Sequence, residues 1–214
     1  MYQIIEGNRW RNIWVVGDIH GCYQCLMDEL KGRHFNHHED LLISVGDLID
    51  RGPDSVKCLQ LIRQKWFYAV RGNHEQMALD ALRNNDFALW TMNGGIWFSR
   101  LTNPQKLEAI ALLEACRQLP HIIEINCING RNIIAHADYP SSVYLRDKPV
   151  SAQRVLWDRA RLTDCFAGKG EGISGADHFW FGHTPVDKRY DFENLHYIDT
   201  GAVFGGVLTF AQIQ

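Results

Sequence analysis

The first third of the chain repeats one pattern three times, and this repeat constrains the fold more than any other feature. Each unit has a short apolar, β-branched run, a polar turn containing glycine, and a segment with helical spacing. The runs are too short and too closely flanked by glycine to be helices, so they predict parallel strands at 13–16, 41–45 and 67–70. The periodic segments predict crossover helices at 26–30, 55–62 and 77–82, which completes a βαβαβ unit.

The rest of the chain predicts a helical insertion followed by more strands. Residues 84–119 have mostly helical spacing, with one amphipathic helix expected after Pro104. Short β-branched runs then predict strands at 121–125, 132–135, 179–181, 197–198 and 207–212. No internal repeat and no linker rich in Pro, Gly or Ser divides the sequence. We therefore expect a β-rich α/β sandwich in which residues 1–214 form a single domain.

Charge and composition exclude several classes of protein. The 214 residues carry a formal net charge of -3, so nothing attracts nucleic acid overall, and an anionic substrate requires a local group of arginines. No apolar run approaches the roughly 20 residues that span a bilayer, and the opening residues lack the apolar core of a signal peptide. We expect a cytoplasmic protein with no nucleic-acid or membrane partner.

Metal-capable side chains follow five of the predicted strands. In open α/β sheets, ligands bind beyond the carboxyl ends of the strands, so these side chains are expected to meet at one edge. Aspartate, asparagine and histidine supply oxygen and nitrogen donors without a thiolate, a set that suits manganese, iron or zinc. Their number is sufficient for two divalent ions. The strand-end clusters contain Asp18 and His20, Asp47 and Asp50, Asn73 with His74 and Glu75, His136, and His183.

Several motifs make the chain resemble one family over nearly its whole length. GDIHG, GDLIDRG and GNHE, with HADYP, FGHTP and IDTGAVFGG later, resemble the phosphoprotein phosphatase family of metallophosphoesterases, and most of all its small bacterial and phage-lambda-like branch. The resemblance implies a metallophosphoesterase-type β-sandwich with a βαβαβ metal-binding core flanked by helices. It also implies two metal ions that share Asp47 as a bridging ligand, one held by Asp18 and His20 and the other by Asn73, His136 and His183.

The resemblance further implies a phosphatase reaction. Two metal ions, manganese by expectation and iron or zinc as alternatives, would activate a shared water for direct attack on phosphorus. The alkoxide of phosphoserine leaves poorly, so a general acid is needed, and His74 with Asp50 as its partner is the implied choice. The expected substrates are proteins or peptides phosphorylated on serine, threonine or tyrosine.

Three arginines are implied to contact the phosphate, because a planar guanidinium can bind two phosphate oxygens at once. They are Arg51, Arg71 and Arg159. Arg159 is placed by the segment VLWDRARL, in which Arg161 lies two residues away and is the alternative.

Two other functions compete with this interpretation. Symmetrical dinucleoside polyphosphate hydrolases share the metal core, but in family resemblance they usually lack an acid at the Asp50 position and carry GNHD, whereas this chain has Glu75. A binding module that keeps the metals without turnover has no need of His74. Both features favour the phosphatase.

Overall fold

The computed structural model of the protein describes residues 1–214, and its strands build two sheets that pack face to face. Ten strands form these sheets, and short runs such as Ile13–Val16 are strands because β-branched residues pack well on a pleated surface. The strands are β1 (Tyr2–Glu6), β2 (Ile13–Val16), β3 (Leu41–Ser44), β4 (Phe67–Ala69), β5 (Ile122–Cys127), β6 (Gly130–Ala135), β7 (His178–Phe181), β8 (Tyr190–Phe192), β9 (Leu195–Tyr197) and β10 (Phe210–Gln212).

The two sheets differ in size and in strand direction. The small sheet has the order β10-β2-β3-β4, in which β2, β3 and β4 are parallel and β10 is antiparallel to β2. The large sheet has the order β1-β5-β6-β7-β9-β8 and mixes parallel and antiparallel pairs. Within it, β6, β7 and β9 run parallel, so their carboxyl ends lie at one edge.

Helices cover the outer faces of both sheets. Helix α3 starts at Asn73 immediately after the turn that follows β4, so Asn73 and His74 lie in its first turn. The helices are α1 (Tyr23–Gly32), α2 (Ser55–Gln60), α3 (Asn73–Asn84), α4 (Ala88–Trp90), α5 (Ile96–Ser99), α6 (Asn103–Ala115), α7 (Ala152–Trp157) and α8 (Ala160–Phe166). A π-helical turn at Thr91–Gly95 joins α4 to α5. No helix is both long enough and apolar enough to cross a membrane.

The parallel strands are continuous apolar runs in the sequence because both of their faces are buried. In β2, Ile13 and Val15 point into the core between the sheets, whereas Val16 points into the core beneath the helices. The inter-sheet core also contains Ile134 and Trp180 of the large sheet. A third apolar cluster lies between the other face of the large sheet and α7 and α8.

The predicted fold class and the βαβαβ core with its crossover helices are confirmed. The helical insertion is also confirmed, although α6 begins at Asn103, one residue before the proline. Two strands were missed, β1 and β8, and both lie at the edges of the large sheet. The last predicted strand is shorter than expected, because Val207 makes only an isolated bridge to Gly201 before β10 begins.

Candidate active site at the strand ends

The turns after β2, β3, β4, β6 and β7 bring all six predicted metal ligands together at one edge of the two sheets. The backbone there is unusual. Of nine non-glycine residues with a left-handed φ, five lie in these turns: His20, Asp47, Asp50, Arg51 and His183. Such conformations cost about 1–3 kcal/mol each and concentrate at functional sites, where the surrounding structure holds them.

Glycines before the ligands leave space for the ligand carboxylates. A Cβ at Gly72 would lie 2.1 Å from Oδ1 of Asp47, and a Cβ at Gly182 would lie 2.0 Å from Oδ1 of Asp18. Neither position can therefore carry a side chain unless a ligand moves. This is the structural reason for glycine in the GNHE and GHTP motifs.

One group of ligands comes from the turns after β2 and β3. Nε2 of His20 lies 4.0 Å from Oδ2 of Asp18 and 3.6 Å from Oδ2 of Asp47. All three side chains are buried. Both carboxylate oxygens of Asp18 also accept a hydrogen bond from the backbone N–H of His183, which connects this group to the turn after β7.

The second group comes from the turns after β4, β6 and β7. Oδ1 of Asn73 lies 2.7 Å from Nε2 of His136 and 3.0 Å from Nδ1 of His183. Nε2 of His136 in turn lies 3.4 Å from Oδ1 of Asp47. The two oxygens of Asp47 therefore face different groups, Oδ2 toward His20 and Oδ1 toward His136.

The donor set fits two divalent cations. Ligand atoms of Asp47, His136 and His183 lie within 4.8 Å of one another, and so do those of His20, Asp47 and His74. Nδ1 of His20 is 2.8 Å from the carbonyl of Ile49, and Nδ1 of His136 is 2.7 Å from that of Val45. In the tautomer that satisfies these carbonyls, Nδ1–H donates, and the lone pair of Nε2 faces the Asp47 carboxylate.

Burial and mutual charge prepare these groups for metal binding. Burial lowers the pKa of His20 and of His183 to about 3, so both remain neutral and able to ligate. Burial acts against ionisation of Asp47, but the facing histidines, His136 first, lower its pKa well below the ordinary value. Burial likewise lowers the pKa of His136, yet Asp47 more than compensates and raises it to about 10. A proton on His136 thus neutralises the negative charge of Asp47, as a bound cation would.

His74 and Asp50 meet in space, as the sequence predicts. Nδ1 of His74 lies 2.6 Å from Oδ2 of Asp50, and both side chains are buried. Nε2 of His74 lies 3.8 Å from Oδ2 of Asp47, so this nitrogen faces the ligand group. Burial lowers the pKa of His74, but Asp47 and Asp50 outweigh it, and the net shift is upward. This arrangement favours a protonated imidazole.

Two tryptophans of the helical insertion hold Asp50 from the other side. The indole N–H of Trp90 lies 3.0 and 2.9 Å from the two carboxylate oxygens, and that of Trp97 lies 2.7 Å from Oδ1. Burial raises the pKa of Asp50, against the opposing effect of His74 and the indoles. The carboxylate thus accepts hydrogen bonds from three rings, which leaves it little freedom to rotate.

Two of the three predicted arginines reach the ligand group. A guanidinium N–H of Arg51 contacts Nε2 of His20, and Nε of Arg159 lies 3.3 Å from Nε2 of His183. Arg71 does not join them: its guanidinium donates to the side chain of Gln76 and to the carbonyls of Arg117 and Leu119. Its predicted contact with phosphate remains a prediction.

Arg161, the alternative to Arg159, is committed elsewhere. Its Nε lies 2.7 Å from Oδ1 of the buried Asp138, and its Nη2 donates to the carbonyls of Tyr139 and Ser141. The structure therefore gives the two arginines different surroundings, with Arg159 beside His183 and Arg161 within a structural network.

Glu75 connects two of the ligand turns. Its buried carboxylate accepts the backbone N–H groups of Asp47, Leu48 and Gly72 at 3.0, 2.8 and 2.9 Å. Asp47 is thereby tied to the first turn of α3. In the sequence, Glu75 served only to separate two families. Trp90 and Trp97 were not predicted as site residues, since no local pattern shows which buried residue their indole N–H groups reach.

Comparison with known proteins agrees with this geometry. Residues 11–187 match the model of the calcineurin-like phosphoesterase family. The chain is 58% identical over 214 residues to serine/threonine-protein phosphatase 1 of Salmonella typhimurium, covering 100% of this chain and 97% of the relative. It is 47% identical to serine/threonine-protein phosphatase 2 of Escherichia coli, covering 100% and 98%. It is 29% identical to an asymmetrical bis(5'-nucleosyl)-tetraphosphatase of Oceanobacillus iheyensis, covering 91% and 86%.

The chain therefore belongs to the calcineurin-like phosphoesterase family, and the resemblance expected from its motifs is confirmed. Members of this family use divalent metal ions, and the buried donor groups described above are the candidate metal-binding residues.

Proposed function

We propose that this protein is a metal-dependent phosphoprotein phosphatase that hydrolyses phosphoserine and phosphothreonine monoesters, and phosphotyrosine in addition. One observation carries the proposal. A carboxylate shared by two donor groups, Asp47, lies beside a buried histidine–aspartate pair, His74 and Asp50. The names of the relatives that are 58% and 47% identical support the same substrate class. We treat residues 1–214 as one phosphatase domain.

The six ligands have defined parts in this proposal. Asp18 and His20 would hold one ion and Asn73, His136 and His183 the other, and Asp47 would contribute to both sites. When bound, two divalent cations, manganese by preference, supply an activated water and neutralise charge on the phosphoryl oxygens.

The histidine–aspartate pair supplies the proton for the leaving group. Asp50 accepts the Nδ1–H of His74, so the proton to be transferred is on Nε2, the nitrogen that faces Asp47. The two indole N–H groups on Asp50 keep the carboxylate in the orientation that this hydrogen bond requires. An alkyl phosphate needs such a proton most, because its alkoxide is a poor leaving group.

Arginines bind the substrate phosphate. Arg51 and Arg159 contact the ligand histidines His20 and His183, so both guanidinium groups would be available to a phosphoryl group bound at the ligand group. Arg71 is assigned to the same task from the family resemblance, and to perform it the guanidinium would have to give up its hydrogen bonds to Gln76 and to the carbonyls of Arg117 and Leu119.

A substrate panel tests the proposal. The purified protein is incubated with manganese and, separately, with phosphoserine, phosphothreonine and phosphotyrosine peptides and with diadenosine tetraphosphate. We expect release of phosphate from the peptides, abolished by a chelator and restored by manganese. Efficient cleavage of the dinucleotide with little action on the peptides would overturn the proposal.

Dinucleoside polyphosphate hydrolysis, expected from the sequence in its symmetrical form, is the second candidate, because a relative named as an asymmetrical bis(5'-nucleosyl)-tetraphosphatase matches 91% of this chain. It explains the metal ligands equally well. It does not explain Asp50, since a phosphate leaving group departs without protonation by a buried acid pair. The panel above separates the two functions.

A further inference from the structure

A cavity of 640 Å³ opens directly beside Arg51. One wall is formed by the residues that lead into α2, and the other by Gly94 and the residues from Ile96 to Glu108. The two walls meet at Arg51, whose backbone N–H lies 3.3 Å from the carbonyl of Gly94. Its volume is in the ordinary range for ligand sites, about 300–1,000 Å³. A substrate with its phosphate at Arg51 therefore has this space next to its reacting group.

The charged residues that line the cavity are not equivalent. Lys57 and Asp54 form an ion pair at 2.8 Å, and Glu108 accepts a hydrogen bond from Gln60 at 2.7 Å. Arg51 contacts His20. Arg100 alone among them makes neither an ion pair nor a side-chain hydrogen bond. An unpaired positive charge therefore lies in the same cavity as the predicted phosphate-binding arginine.

We propose that this cavity is a substrate subsite that takes an acidic side chain of the phosphopeptide, close in sequence to the phosphorylated residue, with Arg100 as its partner. Apolar side chains of Trp97, Ile96 and Leu101 complete the lining and cover the stem of such a side chain. The inference rests on the phosphatase function proposed above, and it adds a preference that the metal centre alone does not provide.

The same lining argues against a polyphosphate chain as the occupant. Two acidic residues, Asp54 and Glu108, already line the cavity, and a single carboxylate paired with Arg100 adds only one negative charge to them. A polyphosphate would bring several negative charges into the same 640 Å³. Like charges brought close together in this way are destabilising.

Peptides of matched length test the subsite. A phosphoserine peptide that is neutral apart from its phosphate is compared with versions carrying Glu, Gln or Lys at each of the three positions on either side. We expect kcat/KM to be about two- to fivefold higher for Glu than for Gln at one or two positions, the range of a solvent-exposed ion pair. Because the contact is exposed, about 1 M salt should remove the preference.

Arg100→Ala should bring the Glu to Gln ratio to one, and Arg100→Glu should reverse it in favour of Lys. Hydrolysis of 4-nitrophenyl phosphate should stay unchanged in both variants, since that substrate does not enter the cavity. Arg9→Ala is the matched control. Arg9 is also exposed and without a side-chain partner, but it lies in the 3-10 turn before β2, at the opposite end of that strand from the ligands.

Each other outcome overturns the inference. The Glu to Gln ratio could already be one in the unaltered protein, or a ratio above one could persist in Arg100→Ala. Arg9→Ala could also bring the ratio to one, which would mean that net charge alone causes the preference. A loss of diadenosine tetraphosphate cleavage in Arg100→Ala, with the peptide ratio unmoved, would assign the cavity to nucleotides. Failure to hydrolyse any peptide refutes the phosphatase proposal itself, whereas hydrolysis without a charge preference refutes only the subsite.

Discussion

The metal-ligand group and the His74–Asp50 pair lie side by side but are built in different ways. Five of the six predicted ligands lie in turns at strand ends and Asn73 lies in the first turn of α3, and hydrogen bonds between the two sheets hold this group together. The histidine–aspartate pair is held from outside the sheets, by Trp90 and Trp97 of the helical insertion. In the proposed function, the sheets therefore position the residues that would hold the cations, and the insertion positions the proposed proton donor. Substitutions in the metal-ligand group should abolish activity on every substrate. Substitutions in the His74–Asp50 pair should lower activity most on substrates with a poor leaving group.

The largest effect is expected from Asp47→Ala, because both donor groups use this carboxylate. Turnover should fall by more than about 10³, beyond the loss of one electrostatic contact to the transition state, and both ions should be lost. His183→Ala touches only one group and should weaken mainly one ion. Elemental analysis alongside activity checks this. Full activity with at most one ion per chain would show that the two-metal account is wrong.

The next largest effect concerns the proton donor. His74→Asn should reduce turnover of phosphoserine by roughly 10² to 10⁴, the range for loss of a general acid. It should reduce turnover of 4-nitrophenyl phosphate much less, because that leaving group departs without help. Metal content is measured in the same samples. Equal losses on both substrates, with the ions retained, would mean that His74 only positions its neighbours and that the two regions do not differ as described.

The arginine pair separates substrate binding from stability. Arg159→Ala should lower turnover by about 10² through the lost phosphate contact, with the melting temperature unchanged. Arg161→Ala should instead lower the free energy of unfolding by about 1–3 kcal/mol, since it leaves the buried Asp138 carboxylate without its partner. Thermal unfolding and kinetics on both variants provide the test. The opposite pattern would place Arg161 at the substrate.

The smallest effect is expected from the insertion. Trp97→Phe removes one indole N–H from Asp50 and should cost about tenfold on phosphoserine, since a hydrogen bond to a charged group is worth about 1.5 kcal/mol or more. The loss on 4-nitrophenyl phosphate should be smaller. Phe98→Leu is the control, because Phe98 packs in the same aromatic cluster without reaching Asp50. If the control variant shows the same leaving-group dependence, packing rather than the indole N–H is responsible.

A double-mutant cycle sharpens the last test. On a phosphoserine peptide that is neutral apart from its phosphate, Trp97 is proposed to act through Asp50, so its removal should cost little more once Asp50 has been changed to Asn. Residues in one hydrogen-bond network show such non-additivity, whereas independent residues add. Additive losses on phosphoserine would mean that Trp97 contributes by another route.

Much of the site was predictable because its ligands obey a local rule. Asp18, Asp47 and Asn73 each follow a short β-branched run and a glycine, and parallel strands place their carboxyl ends at one edge. Arg71 shows the limit of that rule. It also follows a strand, yet its long side chain turns to carbonyls near the end of the insertion. Position in the sequence locates a backbone, but not the direction of a flexible side chain.

The edge strands β1 and β8 mark a second limit. β1 pairs with β5, more than a hundred residues away, and most of its side chains are partly or fully exposed. Its pattern therefore has neither a continuous apolar run nor a nearby partner to indicate a strand. Pairing across the chain decides such segments, not local propensity.

By itself the sequence determined the βαβαβ core, the family and the candidate metal-binding residues, because short-range periodicity and glycine-bounded motifs encode them within a few residues. Only the tertiary structure decided that two oxygens of Asp47 face different donor groups, that Glu75 ties two turns together, and that the tryptophans of the insertion meet Asp50. The physical reason is distance along the chain. Those contacts join residues from 27 positions apart (His20 and Asp47) to 89 positions apart (Asp47 and His136), and only packing of the sheets and helices brings such residues close together.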